Sequence, residues 1–218
     1  MRVLILANGS PPTSALLTRL ASEHDLFLAT DGAGLTAARL GVPPNIVSGD
    51  FDSLDLGAAQ VLLPQTEFVP TPDQNKTDLE KAFEIALGRG AKSITIAGAA
   101  GRRIDHTLGN FGLLLHWRAE YPNLPVVFAG DGSETLAVSG ECVLETEPGD
   151  AVSLLSFDGQ ARVSVSGVRW PLDCHPLAVG VGGLLNEALG PRVTVSAGGG
   201  IILVCHVKAA LRSHADDF

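Results

Sequence analysis

The feature that most limits how this chain can fold is a change of rhythm near residue 130. Up to about residue 129, short apolar runs at 3–7, 26–29, 45–48, 67–69, 93–97 and 126–128 alternate with helical patterns. That alternation is the mark of a parallel α/β sheet, because parallel neighbours need a crossover that is usually helical. The helical patterns fall at 13–21, 34–40, 78–87 and 104–117. In the third of these, Leu79, Ala82, Phe83, Ala86 and Leu87 recur at i, i+3, i+4, i+7 and i+8, which is one buried face. Thr77 and Glu80 have capping-box spacing, so this helix is expected to begin at Asp78. After Gly130-Asp131-Gly132 the runs shorten and alternate with period two, at 135–138, 151–155, 162–168, 193–196 and 201–207. Gly198-Gly199-Gly200 reads as a hairpin turn between the last two. The expectation is a Rossmann-like α/β domain with a mostly parallel sheet over residues 1–130, followed by an all-β module, sandwich or barrel, over 131–218.

Composition narrows the function. The formal net charge is −9, from 24 acidic and 15 basic side chains, and there is no Lys/Arg cluster. A nucleic-acid partner needs a positive face, so none is expected. Cys142, Cys174 and Cys205 are widely spaced and form no Cys-x-x-Cys pair, which points to free thiols in a reducing compartment. His175 beside Cys174 and His206 beside Cys205 do not have the spacing of a zinc site. The run at 3–7 is too short for a signal segment and no stretch suits a membrane span, so a soluble, cytoplasmic protein is expected.

Three polar segments follow predicted strands, where ligand crevices form in open α/β sheets. Gly49-Asp50-Phe51-Asp52-Ser53 comes first. On an extended segment Asp50 and Asp52 would point the same way, and two carboxylates side by side call for a hard cation. Mg²⁺ fits, since it binds one or two carboxylates together with substrate phosphates. Asp73-Gln74-Asn75-Lys76-Thr77-Asp78 then opens the capped helix. A helix N-terminus flanked by Lys76, Thr77 and the Asp78 carboxylate is a candidate phosphate cradle. Gly98-Ala99-Ala100-Gly101-Arg102-Arg103-Ile104-Asp105-His106 is the third. Its small residues let a phosphate approach the backbone, and its arginines suit phosphate oxygens. Asp105 could take a metal, a ribose hydroxyl or a substrate group. No G-x-x-x-x-G-K-[ST] is present, which excludes a P-loop kinase.

Together these segments resemble the thiamine pyrophosphokinase family, in order and spacing, over nearly the whole chain. The family's Gly-Asp-Phe-Asp-Ser is similar to residues 49–53, its Pro-Asp-Gln-x-x-Thr-Asp to 72–78, and its Gly-Gly-Arg-x-Asp-His to 101–106, with Arg102 in place of the second glycine. Asp31-Gly32-Ala33 resembles an earlier family segment. The resemblance implies an ATP-binding α/β domain, a thiamine-binding β-sandwich, and a homodimer with active sites at the interface. The implied reaction moves a diphosphate from ATP to the thiamine hydroxyl and releases AMP. Asp50, Asp52 and Asp78 would hold Mg²⁺. Gln74, Thr77, Arg103 and Asp105 would contact nucleotide phosphates or substrate, and Asp105 could assist the departing proton. Asp31 would line the same crevice, and Lys76, Arg102 and His106 would lie beside the nucleotide. Gly167-Val168-Arg169-Trp170-Pro171-Leu172 resembles the family's Gly-Leu-x-Tyr/Trp-Pro-Leu, in which Trp170 either joins the core or stacks on a flat heterocycle. Asn186-Glu187 matches a family cluster near the thiamine pyrimidine, but Leu184-Leu185 stands where a serine is expected. That departure leaves as an alternative a pyrophosphokinase for another small alcohol such as a hydroxymethylpterin; a catalytically silent nucleotide-binding module is a further reading, against which the intact Asp50, Asp52, Asp78 and Arg103 argue.

Overall fold

The computed structural model describes residues 1–52, 56–180 and 182–212. Ser53 and the tail from residue 213 lie outside the described residues. The elements run β1 (Arg2–Leu6), α1 (Ser14–Glu23), β2 (Leu26–Thr30), α2 (Ala33–Arg39), β3 (Ile46–Gly49), α3 (Leu56–Leu62), β4 (Glu67–Pro70), α4 (Asp78–Gly88), β5 (Ser93–Ala97), α5 (Ile104–Glu120) and β6 (Val126–Gly130). They continue with β7 (Ser133–Glu145), β8 (Ala151–Ser156), β9 (Arg162–Ser166), β10 (Leu172–Pro176), β11 (Asn186–Glu187), β12 (Arg192–Val207) and α6 (Ala209–Arg212). The chain divides into two compact units, one of Met1–Leu113 with Asn123–Asp131, the other of Leu114–Pro122 with Gly132–Phe218.

The strands correct the expected fold class. Among the described residues they belong to one mixed sheet of twelve strands, in the order β10-β9-β12-β7-β6-β5-β1-β2-β3-β4, with β8 on β12 and β11 on β8. A Rossmann-like parallel α/β domain followed by a separate all-β sandwich is therefore not the architecture; the fold is a strand-rich mixed sheet. Period-two and period-3.6 patterns report which face of an element is apolar. They carry no information about which strand hydrogen-bonds to which, so a switch from parallel to antiparallel pairing looks in sequence like the end of a sheet.

In the first unit, β1 pairs in parallel with β2 and β5, β2 with β3, β3 with β4, and β5 with β6. Val3, Leu4, Ile5 and Leu6 of β1 are buried on both faces, the reason this strand is a continuous apolar run. Helix α4 begins where its capping box predicts, with the Thr77 side chain accepting from Glu80 N–H and the Glu80 carboxylate accepting from Thr77 N–H. It buries Leu79, Ala82, Phe83 and Ala86. From β1 the strands step outward to β4; the chain then returns to place β5 on the other side of β1. The connections thus diverge between β1 and β5, the point where open sheets split to admit a ligand.

In the second unit, β12 is central. Gly198-Gly199-Gly200 is not a hairpin turn but lies inside this single strand, at a register shift between Ala197 and Ile202. The stretch before the shift pairs with β9 and the stretch after it with β8, while β7 follows both. Glycine suits this irregularity because Gly199 has φ +78° and a side chain at Gly200 would press on Ala161. Val152, Val163, Val193, Val195, Ile202 and Val204 form the heart of the core. Asp150 ties down the start of β8: it accepts from Glu147 N–H, from Ala209 N–H and from the His206 ring at 2.7 Å.

Candidate active site

The switch point opens into a crevice of about 470 Å³, bounded by the loops that leave β1, β3, β4 and β5. Its floor is shaped by contact between two of those loops. Gly9 N–H donates to Gly98 O (2.9 Å) and Ser10 N–H to Ala100 O (2.8 Å). A Cβ on Gly9 would collide with both carbonyls, so glycine is required there by close backbone approach.

Of the residues singled out in the sequence, Asp50, Gln74, Lys76, Thr77, Asp78, Arg102, Arg103 and His106 are brought together around this crevice. Asp31, Asp52 and Asp105 lie outside the lining. Asp31 follows β2 with φ 25°, donates its N–H to Ser48 O, and packs its side chain on Gly49, where an added Cβ would sit 3.3 Å from its Oδ1. The extended geometry expected for Asp50-Phe51-Asp52 does not occur. β3 ends at Gly49 and Phe51 adopts φ 60°, which lets its ring turn inward against Phe68 at 5.9 Å. The cause is burial: an aromatic ring gains more from the core than the left-handed backbone costs. Asp52 is consequently exposed, and its N–H donates to Asp50 Oδ1 at 3.2 Å. Asp50 Oδ2 receives the Gln74 side-chain amide at 3.4 Å.

The Arg102-Arg103 turn carries the positive charge. Arg102 stands at φ 58°, a backbone conformation that favours glycine, and its guanidinium reaches Asn8 Oδ1 at 3.3 Å. Arg103 grips Asp105 with two bonds, Nε to Oδ1 at 3.1 Å and the terminal nitrogen to Oδ2 at 2.5 Å. The guanidinium holds the Asp105 carboxyl down to about 2, and the carboxylate in turn raises Arg103. In the segment before α4, a hydrogen bond from Asn75 N–H lowers Asp73, and the bond to Glu84 at 2.6 Å raises Lys76.

Sequence reasoning missed Asn8, Gly9, Asn110 and Lys81. The run Asn8-Gly9-Ser10 directly after an apolar strand was a legible sign for the first two. Asn110 is held by its amide bond to Ala99 O (2.7 Å). Lys81 was legible as a charge inside the apolar stripe of α4, between Leu79 and Ala82.

The second unit has its own recess of about 150 Å³, lined by Val165, Trp170, Leu172, Gly183, Leu184 and Asn186 among others. Trp170 is not a core residue; it is 57% exposed, with the Arg169 guanidinium 5.6 Å from its ring. Asn186 clamps the Trp170 backbone, accepting from its N–H (3.1 Å) and donating to its O (2.6 Å). Glu187 lies 3.5 Å from Arg169. Leu184 and Leu185 are both exposed, and Leu185 takes φ 57°.

Residues 17–128 match the family model described as thiamin pyrophosphokinase, catalytic domain. The chain belongs to the thiamin pyrophosphokinase family. Membership makes it a kinase-type transferase. It is 27% identical over 207 residues to the thiamine pyrophosphokinase of Bacillus subtilis, across 92% of this chain and 95% of that one. Among solved structures, the Bacillus subtilis enzyme superimposes with TM-score 0.84 at 24% identity, covering 95% of this chain and 99% of the other. Thiamin pyrophosphokinase from Geobacillus thermodenitrificans gives 0.79 at 23% identity, covering 95% and 98%. The yeast enzyme gives 0.78 at 17%, covering 96% and 87%. No helix among the described residues is long and apolar enough to cross a membrane.

Proposed function

We propose that this chain is a thiamine pyrophosphokinase that transfers a diphosphate group from ATP to the hydroxyl of thiamine, giving thiamine diphosphate and AMP. The observation that carries the reading is the crevice at the switch point, where a capped helix N-terminus, Lys76, Arg102 and Arg103 face the carboxylates of Asp50 and Asp78. The amides of the first turn of α4 and the arginines suit the oxygens of a polyphosphate. In the reaction the thiamine oxygen bonds to the β-phosphorus, the bond from that phosphorus to the α-phosphate oxygen breaks, and AMP carries away the electron pair. The hydroxyl proton leaves to solvent. Positioning and charge neutralisation supply most of the acceleration in such transfers. Arg103 would stabilise the transferring group. Asp105, already ionised and paired, would orient Arg103 rather than accept the proton.

Mg²⁺ is the ion this reading implies, and the donor chemistry fits it. Two carboxylates line the crevice, among the described residues no group of three or more His, Cys, Asp or Glu converges, and Mg²⁺ takes one or two carboxylates beside phosphate oxygens and water. Asp50 and Asp78 would hold it, with Asp52 outside the lining, and it would neutralise phosphate charge. Residues 131–218 would receive thiamine, with Trp170, Asn186 and Glu187 at the recess. A homodimer is part of the same reading, supported by the exposed Trp170, Leu184, Leu185 and Leu189. So is a cytoplasmic location, supported by three free cysteines.

The test is AMP release from Mg²⁺-ATP with thiamine, with a hydroxymethylpterin, or with no acceptor. AMP and thiamine diphosphate formed in equal amounts only with thiamine is the expected result. AMP formed only with the pterin, or with neither, overturns the assignment.

A further inference from the structure

Lys81 is the one lysine among the described residues whose side chain is buried, at 6% exposure, and it lines the crevice. A buried ammonium is costly unless it is paired and its remaining donors are used. Its partner among the described residues is Asp78, which is itself 44% exposed, with Nζ 3.3 Å from Oδ1. One of three N–H donors is thereby occupied, at the long end of hydrogen-bond range. A lysine kept only for packing would be exchanged for methionine at little cost or with a gain, because that removes a desolvated charge. Its surroundings point to an anion instead. Thr77 and Glu80 satisfy each other through the capping box, which leaves the N–H groups of Asp78 and Leu79 in the first turn without an intrahelical acceptor. Leu79, Thr77 and Lys81 line the same crevice as Arg102 and Arg103.

We propose that Lys81 is a phosphate-binding residue, its buried ammonium held in place by Asp78 and donating to the polyphosphate of the nucleotide. This rests on the ATP reading above and adds a cation that the motif residues do not include. A point charge on a flexible stem, sunk in the floor, complements the planar arginines at the rim.

The experiment compares wild type, Lys81→Met and Lys81→Arg by titration calorimetry with ATP and with inorganic tripolyphosphate, and by separate KM values for ATP and thiamine. Losing a charge-assisted bond predicts that Lys81→Met weakens both ligands about 10- to 100-fold. Its Tm should be unchanged or higher, its KM for thiamine should stay within about twofold, and Lys81→Arg should recover part of the affinity. A folded Lys81→Met that binds tripolyphosphate like wild type overturns the proposal. So does a loss that tracks a lower Tm and affects thiamine equally. Should Lys81→Met not fold, Asp78→Asn is compared with Asp78→Asn/Lys81→Met, which leaves no unpaired charge. Equal tripolyphosphate affinity in the two overturns the proposal, and a further fall in the double variant supports it. Wild type that binds neither ATP nor tripolyphosphate would instead overturn the nucleotide reading on which this one stands.

Discussion

Arg102 offers a direct test of the balance between backbone strain and ligand binding. It is a non-glycine residue at φ 58° that lines the crevice. The left-handed conformation costs an L-residue about 1–2 kcal/mol. Replacing Arg102 by glycine removes that cost but loosens the unfolded chain by about 0.5–1 kcal/mol. The exposed contact to Asn8 at 3.3 Å adds little on either side. The net expectation is a gain of roughly 0.5 kcal/mol, which in a chain of this size raises Tm by about 1–2 °C. ATP affinity should move the other way, by about 3- to 10-fold, because an exposed guanidinium beside the phosphates is lost. Arg102→Ala separates the two effects: it loses the guanidinium and keeps the Cβ, so it should lose the same affinity with no rise in Tm. Scanning calorimetry and ATP titration on the three proteins decide the matter. A lower Tm for Arg102→Gly would refute the strain argument, and unaltered ATP affinity in both variants would remove Arg102 from the binding site.

Three further outcomes are expected. Asp50→Asn and Asp78→Asn should each lower kcat at least about 100-fold with an unchanged circular dichroism spectrum; near-normal turnover in either would detach that residue from the chemistry. Asp105 has a folded pKa near 2, below its ordinary 3.8, so its pairing with Arg103 is complete above pH 4 and is lost only as pH falls toward 2. Asp105→Asn should therefore raise KM for ATP without altering the shape of the kcat profile between pH 5 and 9, and the disappearance of an acid limb would mark Asp105 as the base after all. Asp150 is pushed up by burial but pulled further down by the hydrogen bonds it accepts from Glu147, His206 and Ala209, for a net lowered pKa. Its contribution is present above its ordinary value of 3.8 and fades as pH drops below it. Asp150→Asn should thus lower Tm at pH 7 by several degrees and flatten the loss of stability as pH falls below the ordinary carboxyl value of 3.8, both read by calorimetry.

Much of the site was legible because its signals are local. A capping box is set by residues three apart, which is why Thr77 and the start of α4 fell where expected. Polar segments directly after apolar runs mark strand ends, and eight of the motif residues do meet around one crevice. What escaped depends on contacts distant in sequence. The inward turn of Phe51 follows from the position of Phe68, seventeen residues on, and it invalidated the extended reading of Asp50 and Asp52. Trp170 suits core or surface by residue type alone; Asn186, sixteen residues away, holds its backbone where the ring is exposed.

By itself the sequence determined the family, the order of most elements and the identity of the polar residues at the strand ends, since these rest on composition, period and short spacing. Tertiary structure alone decided the strand partners. β12 continues past three glycines because β7 pairs with it on both sides of the register shift there, while β9 takes the stretch before it and β8 the stretch after. It alone decided, too, that Lys81 points into the crevice floor rather than to solvent, because burial is a property of what surrounds a helix face and not of the face.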